Sequence, residues 1–332
     1  MAVTIEDIKK LRNLTGAGLS DCKKALIEAE NDLDKAVELI RKRGQAIAAK
    51  REDRDAAQGV ALAKTVGEFA AIVALKCETD FVAANEKFVG LANRILDAAV
   101  EARVKSMDEL QALVIDGKTV PELITELSGI TGEKMELGAY ECLEAPFNVI
   151  YNHFNKKLAT IVSFNKAEVD PDVAKGVAMQ AASMNPTAAT RDQIPQSVID
   201  EELRIAVDKT RDELVKKAVE AALKKAGFNP YYCATEEHQD EAVRKGYMTE
   251  EDVAKAREIM KTTAEQKAAS LPEQMIQNIA QGRLGKYFQE NVLMEQNYEA
   301  AEGEKITVAE FLARSDKELK AIALKRVNLN VD

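Results

Sequence analysis

Apolar residues recur at helical spacing in three consecutive segments at the start of the chain. Ile5, Ile8 and Leu11 form one stripe, Leu19, Cys22, Ala25, Leu26 and Ala29 a second, and Leu33, Ala36, Val37 and Ile40 a third. Thr15-Gly16-Ala17-Gly18 separates the first two, where glycine allows a tight link between helices, and Gly44 is a stop signal for the third. Helices this short do not each bury a face alone. The pattern therefore predicts a small three-helix bundle over residues 1–45, followed by a charged, Ala-rich tether over 46–57.

The period then shortens to two. Val60, Leu62, Lys64 and Val66 lead into a turn at Gly67-Glu68 and a second apolar run, Phe69 to Cys77, which predicts a hairpin. A helix from about Glu86 to Arg103 follows, with Phe88, Leu91, Ile95 and Leu96 on one side. The same order recurs with strands near Phe147 to Phe154 and Leu158 to Phe164 around the polar turn Asn155-Lys156-Lys157. Asp170-Pro171 then supplies an N-cap and first-turn proline for a helix through Met184. Two related subdomains are expected, one over 58–143 and one over 144–197 with 280–332. Between the two stretches of the second subdomain lie long charged helices, Val198 to Ala226 and Thr249 to Ala269, interrupted around Gly227-Phe228-Asn229-Pro230. They predict an inserted antiparallel helical hairpin, coiled-coil-like, over 198–279. Mixed structure returns near Tyr287 and ends in a helix over Val308 to Leu312 and a β-like tail, Ala323 to Val331. The fold class is α+β.

Composition narrows the function. With 332 residues, 46% of them hydrophobic, the chain can bury a real core, and a formal net charge of -10 opposes sequence-independent contact with phosphate backbones. Arg41, Lys42, Arg43, Lys50, Arg51 and Arg54 are the densest basic group, read as a solvated helix end and charged linker. No tryptophan is present, and aromatics at 5% are too few for a platform that stacks single strands. Cys22, Cys77, Cys142 and Cys233 lack metal or redox spacing and read as reduced, partly buried thiols. An amphipathic helix begins within Met1 to Lys10 with no apolar signal core, and no run of 18 apolar residues occurs. A cytoplasmic protein is expected, with no membrane and no direct nucleic-acid partner.

Candidate chemistry is sparse. His153 and His238 are the two histidines, and no motif ties either to a Cys or Ser; Glu236-Glu237-His238-Gln239-Asp240-Glu241 reads as a solvated acidic run. Thr15-Gly16-Ala17-Gly18 lacks the third glycine of a dinucleotide fingerprint, and no Gly-Lys-Ser/Thr follows, so phosphate binding is not expected there. Neither enzymatic activity nor a cofactor is expected. Glu78-Thr79-Asp80-Phe81-Val82 lies where a buried strand gives way to a helix, a place where rigid scaffolds carry functional loops. On spacing alone a structural reading is favoured: Thr79 or Asp80 caps the next helical turn and Phe81 enters the core.

Two long motifs add a resemblance. Leu11-Arg12-Asn13-Leu14-Thr15-Gly16-Ala17-Gly18 followed by Asp21-Cys22-Lys23-Lys24-Ala25-Leu26, and then Cys77-Glu78-Thr79-Asp80-Phe81-Val82-Ala83, resemble the two signatures of the elongation factor Ts family. Ala178-Met179-Gln180-Ala181-Ala182 with Pro186, Gly282-Arg283-Leu284-Gly285-Lys286-Tyr287-Phe288, and Leu293-Met294-Glu295-Gln296 resemble its C-terminal half. Ala84 and Ala159 depart from the residues usual in that family, and 210–269 is longer than its usual arm. The resemblance implies a UBA-like bundle, a two-subdomain α+β core and an inserted helical hairpin. It implies a guanine-nucleotide exchange factor whose partner is the GTPase elongation factor Tu, held through its GTPase domain and a second domain. Carried over by motif, Asp80 and Phe81 form an intruding tip shaped by Thr79 and Val82, which displaces Mg²⁺ from the partner. Leu11, Arg12, Gly16, Gly18, Lys23 and Lys24 lie in or support the contact surface of the bundle. A homodimer is left open. A non-exchanging adaptor built on the bundle and the arm is the alternative.

Overall fold

The structure is a computed structural model that describes residues 3–51, 53–301 and 303–330. Met1, at the start of the expected first helix, and Val331, at the end of the expected tail, lie outside the described residues. Helices combine with antiparallel sheets in an α+β fold. The chain divides into one compact unit that ends at Thr190 and resumes at Asn291, and a second that spans Arg191–Glu290.

Three helices open the first unit: α1 (Ile5–Thr15), α2 (Leu19–Glu28) and α3 (Leu33–Ala49). Thr4 caps α1 in a reciprocal box with Asp7, each satisfying a backbone N–H of the other. Leu11, Cys22, Ala25, Leu26 and Ala36 fill the space between the helices. Ile5 and Leu19, expected within the apolar stripes, are instead exposed. Gly44 does not stop α3, which continues to Ala49. The reason lies in its neighbour: Gly44 packs backbone to backbone against Gly129, so the absent side chain serves a close helix crossing and not a left-handed cap.

The hairpin follows as β1 (Gln58–Val66) and β2 (Phe69–Cys77), paired from Gln58↔Cys77 to Val66↔Phe69. Gly67 has φ +57° at the first turn position, which suits a two-residue hairpin turn. Then come α4 (Asp80–Ala83), α5 (Glu86–Glu101), α6 (Met107–Ala112), a small ribbon of β3 (Val114–Ile115) and β4 (Lys118–Thr119), α7 (Val120–Thr131) and β5 (Met135–Glu144). Strand β5 joins the free side of β2, giving the order β1-β2-β5. A second hairpin, β6 (Phe147–Asn152) and β7 (Leu158–Phe164), precedes α8 (Pro171–Met184), capped by Asp170.

The second unit contains α9 (Gln196–Lys225), α10 (Pro230–Cys233), α11 (Glu236–Arg244), α12 (Glu250–Ser270) and α13 (Glu273–Asn291). The interruption expected near Gly227 holds two short helices, started by Asn229 and Thr235 as N-caps. Leu223, Cys233, Ala242, Met248, Val253 and Ala256 give this region a core of its own. Helix α13 runs through Tyr287, where mixed structure had been expected to resume. Back in the first unit, α14 (Val308–Ser315) leads to β8 (Ala321–Asn328), which pairs with β7 in the order β6-β7-β8. Each of the two three-stranded sheets is therefore a hairpin whose second strand also pairs with a third strand that arrives after helices.

Alternation along β1 and β2 explains the layering. Val60, Leu62, Phe69, Val73 and Leu75 pack against Phe88, Leu91 and Ile95 of α5. The residues between them, Ala61, Ala63, Ala70, Ile72 and Ala74, share a cluster with Ala159 and Ile161 of the second sheet. Small alanines on the shared face let the sheets approach closely, and the opposite face of the second sheet packs on α8 and α14. Asn152 stitches the two sheets together: its Oδ1 accepts from the Ala63 N–H at 2.7 Å and its Nδ2 donates to the Ala63 carbonyl at 2.9 Å. Asn152→Ala leaves both backbone groups of a buried residue without these partners. We expect a loss of about 2–3 kcal/mol, read as a lower denaturant midpoint at unchanged slope; a shift below about 0.5 kcal/mol contradicts the assignment.

Candidate functional site

Strands β2 and β5 diverge after the pair Cys77↔Met135, and the turn between β2 and α4 begins there. Thr79 is the N-cap of α4, its Oγ1 accepting from the Val82 N–H at 3.4 Å. The same threonine donates twice to one carboxylate, from its N–H to Glu133 Oε2 at 3.0 Å and from its hydroxyl to Glu133 Oε1 at 2.7 Å. Val82 packs partly against the core. Asp80 is exposed, and Phe81 is 85% exposed, so it is not the core residue that a purely structural reading expects. A large apolar side chain is thus held out to solvent by a turn whose base is fixed.

Neighbouring charges complete that base. Glu78 accepts from the Lys134 N–H at 2.7 Å and pairs with Arg54 at 3.0 Å and Arg51 at 3.4 Å. The Lys134 N–H, followed by the arginines, holds the Glu78 carboxyl below the usual carboxylate range. Arg51 and Arg54, expected to be solvated linker charges, therefore join the segment leaving the bundle to the root of the turn. The Cys77 thiol donates to the Thr79 carbonyl at 3.2 Å. Burial, then the nearby charges of Glu133 and Asp80, pushes it up to about 12.

That shift has a sign. Because the native thiol holds its proton more tightly than the ordinary value of 9.0, this group's contribution to stability is full below about 9 and is lost as pH rises toward about 12. At pH 8 a short alkylation pulse should modify Cys142, the half-buried cysteine, before Cys22, Cys77 or Cys233, all fully buried. Mass spectrometry of tryptic peptides checks the order, and early labelling of Cys77 contradicts the packing described.

The bundle brings its own motif to this place. Gly16 caps α1 with φ +73°, and a side chain built there would lie 2.4 Å from Lys87 Nζ and 3.7 Å from Ile130 Cδ1. The Gly16 link, the start of α5 and the end of α7 are therefore contiguous. Gly18 is the N-cap of α2 with φ -62°, a conformation open to any residue. Arg12, Lys23 and Lys24 are exposed, whereas Leu11 is fully buried and supports the bundle from within. Leu14 and Leu19, 63% and 52% exposed, flank the glycines with apolar surface that helical spacing assigned to the interior or passed over. At the far sheet, Phe154 is 87% exposed in the β6–β7 turn, its ring tilted 51° to that of His153, whose Nδ1 lies 2.8 Å from the Tyr151 hydroxyl.

Comparison with known proteins then decides the family. A family model described as elongation factor TS matches residues 78–232 and 220–330. Elongation factor Ts of Bacteroides thetaiotaomicron is 53% identical, that of Parabacteroides distasonis 52% and that of Porphyromonas gingivalis 40%, each alignment covering 100% of both chains. The chain belongs to the elongation factor Ts family.

In this member of the elongation factor Ts family both signature motifs meet the end of α7 and the residues just after it: Gly16 faces Ile130, and Thr79 is bonded to Glu133. Glu133, Ile130 and Lys87, which join them, were not singled out by the sequence. Each stands far along the chain from the motif it touches: the pairing of β2 with β5 brings Glu133 to Thr79, while the start of α5 and the end of α7 bring Lys87 and Ile130 to Gly16. Among the described residues no group of His, Cys, Asp and Glu is placed to hold a metal, and no helix is long and apolar enough to cross a membrane.

Proposed function

We propose that this chain is a guanine-nucleotide exchange factor that binds elongation factor Tu in its GDP-bound form and promotes GDP release during translation elongation. Membership of the elongation factor Ts family supports the role in elongation and the choice of partner. The observation that carries the exchange mechanism is Phe81, 85% exposed on a turn anchored at Thr79. A GTPase holds its nucleotide through Mg²⁺ and ordered loops around the phosphates, so a wedge that shifts those loops weakens the hold. In this reading Phe81 enters between elements of the GTPase domain, Asp80 disturbs the network around the partner's Mg²⁺, and Thr79 and Val82 set the shape of the tip. Coupling is reciprocal: if the factor favours empty partner, bound GDP weakens the factor's grip by the same ratio. No covalent chemistry by this chain is required, and the site of action is the cytoplasm.

The rest of the molecule takes its place in the same proposal. Residues 1–45 are a UBA-like bundle, with Arg12, Lys23, Lys24 and the Gly16–Gly18 link at the contact and Leu11 beneath it. Subdomain 58–143 grips the GTPase domain, and the subdomain of 144–197 with 280–332 meets a second domain, where Phe154 offers exposed apolar area. The packing of α9 with α12 supports an inserted, coiled-coil-like helical hairpin over 198–279. Release of a fluorescent GDP from the matching elongation factor Tu, with and without this protein, tests the reading. Acceleration supports it; binding without acceleration sinks it in favour of an adaptor.

A further inference from the structure

We propose that Glu133 and Glu78 are positioning residues for the tip, a reciprocal pair of carboxylates that replaces the β2–β5 ladder where it stops and fixes the direction in which Phe81 projects. The ladder's next pairs after Cys77↔Met135 would be 78 with 134 and 79 with 133. Side chains take over at those positions. Glu78, just past β2, accepts the N–H of Lys134, just before β5, and Glu133, also just before β5, accepts the Thr79 N–H just past β2. Glu133 takes a second bond from the Thr79 hydroxyl, at 2.7 Å.

The geometry has a consequence for the tip. Thr79 Oγ1 donates to Glu133 and accepts from the Val82 N–H, so the carboxylate orients the hydroxyl that caps α4. Helix α4 is too short to hold itself. Without Glu133 the four residues Asp80–Ala83 lose the group that sets their start, and Phe81 samples directions that do not fit a partner. Glu78 secures the other side and, through Arg51 and Arg54, ties the chain leaving the bundle to the root of the tip. The bundle's surface and the wedge are thereby held at a fixed spacing.

The proposal rests on the exchange reading, and its test separates the two. In the free full-length protein, Glu133→Ala should speed hydrogen exchange of the Thr79 and Val82 amides by about tenfold or more, with Glu133→Gln intermediate because it keeps one acceptor oxygen. On elongation factor Tu, Glu133→Ala should lower the maximal GDP-release rate about tenfold while the concentration for half-maximal effect changes less than about twofold, since the bundle surface is untouched. Thr79→Val combined with Glu133→Gln should cost less than the sum of the two changes. Unchanged Thr79 amide protection in Glu133→Ala overturns the clamp without reference to any partner. Lost protection with a full release rate overturns the positioning role. Failure of the unmodified protein to accelerate release overturns the exchange reading and this proposal with it, and is recognised because the unmodified protein itself is inactive.

Discussion

Phe81→Ala should reduce acceleration of GDP release roughly 30-fold while leaving the fold of the free protein intact. The separation of the two effects comes from exposure. In the free protein Phe81 is 85% exposed, so its truncation removes almost no native contact, and a change in stability within about 0.5 kcal/mol is expected. In the proposed complex with elongation factor Tu the same ring would pass from water into a packed site. Full burial of a phenylalanine side chain contributes about 2–3 kcal/mol, and central aromatic anchors reach about 2 kcal/mol or more by alanine substitution. At about 1.4 kcal/mol per factor of ten, 2 kcal/mol is roughly 30-fold. Stopped-flow release of fluorescent GDP gives the rate, and a melting curve on the same preparation gives the control. A stable variant with full activity contradicts the wedge; a variant that also melts early contradicts the exposure.

Asp80→Ala distinguishes the two parts of the tip. If Asp80 acts on the network around the partner's Mg²⁺, its effect should shrink when the ion is chelated, because the contact it disturbs is already gone. Phe81→Ala should keep its deficit in chelator, since an apolar wedge moves structure and not charge. Equal Mg²⁺ dependence of both variants argues against separate roles.

The extent to which this arrangement was legible in the sequence follows from where each signal resides. Local signals were strong. Alternation in 60–66 and 69–77 gave β1 and β2, Asp170-Pro171 gave the start of α8, and Thr249 the start of α12, because turns, caps and periodicity are written in adjacent residues. Strand β5 carries no such local signal: most of its positions are half-buried, so Glu136, Glu141 and Leu137 show no clean alternation. Gly44 misled for a related reason. A glycine reads as a helix stop when only its neighbours in sequence are considered, and here the residue that explains it is Gly129. Phe81 could not be placed at all from spacing, because an exposed wedge and a core anchor are the same letter. The carboxylate that orients it was invisible for the same cause: Glu133 is one acid among many until β5 is laid beside β2.

Gly129→Ala should be among the most damaging single-methyl changes in the chain, and Gly44→Ala nearly silent. A Cβ on Gly129 would stand 2.2 Å from Gly44 Cα, 2.7 Å from its carbonyl carbon and 2.9 Å from its carbonyl oxygen. All three are backbone atoms, so no rotamer change relieves them, and α3 must move off α7 by more than about 1 Å to restore ordinary carbon contact near 3.5–4 Å. Overpacking of this kind costs about 1–3 kcal/mol and sometimes more. In the other direction a Cβ on Gly44 meets Gly129 Cα at 3.3 Å, a contact relieved by a few tenths of an ångström, and alanine recovers about 1 kcal/mol of helix propensity. The bundle has a core of its own in Leu11, Cys22, Leu26 and Ala36, so Gly129→Ala should release it folded and not melt it. Limited proteolysis should then cut the stretch between Ala49 and Gln58 faster, and calorimetry should show an added transition at lower temperature. Equal effects of the two substitutions would contradict the crossing. Because Ile130 and Glu133, next along from Gly129, border the bundle's Gly16 and the tip's Thr79, a released bundle should also slow exchange in variants whose tip is chemically unaltered. Restoring the rate with high factor concentration would then show that the crossing acts by holding two contact surfaces together, and not by shaping either one.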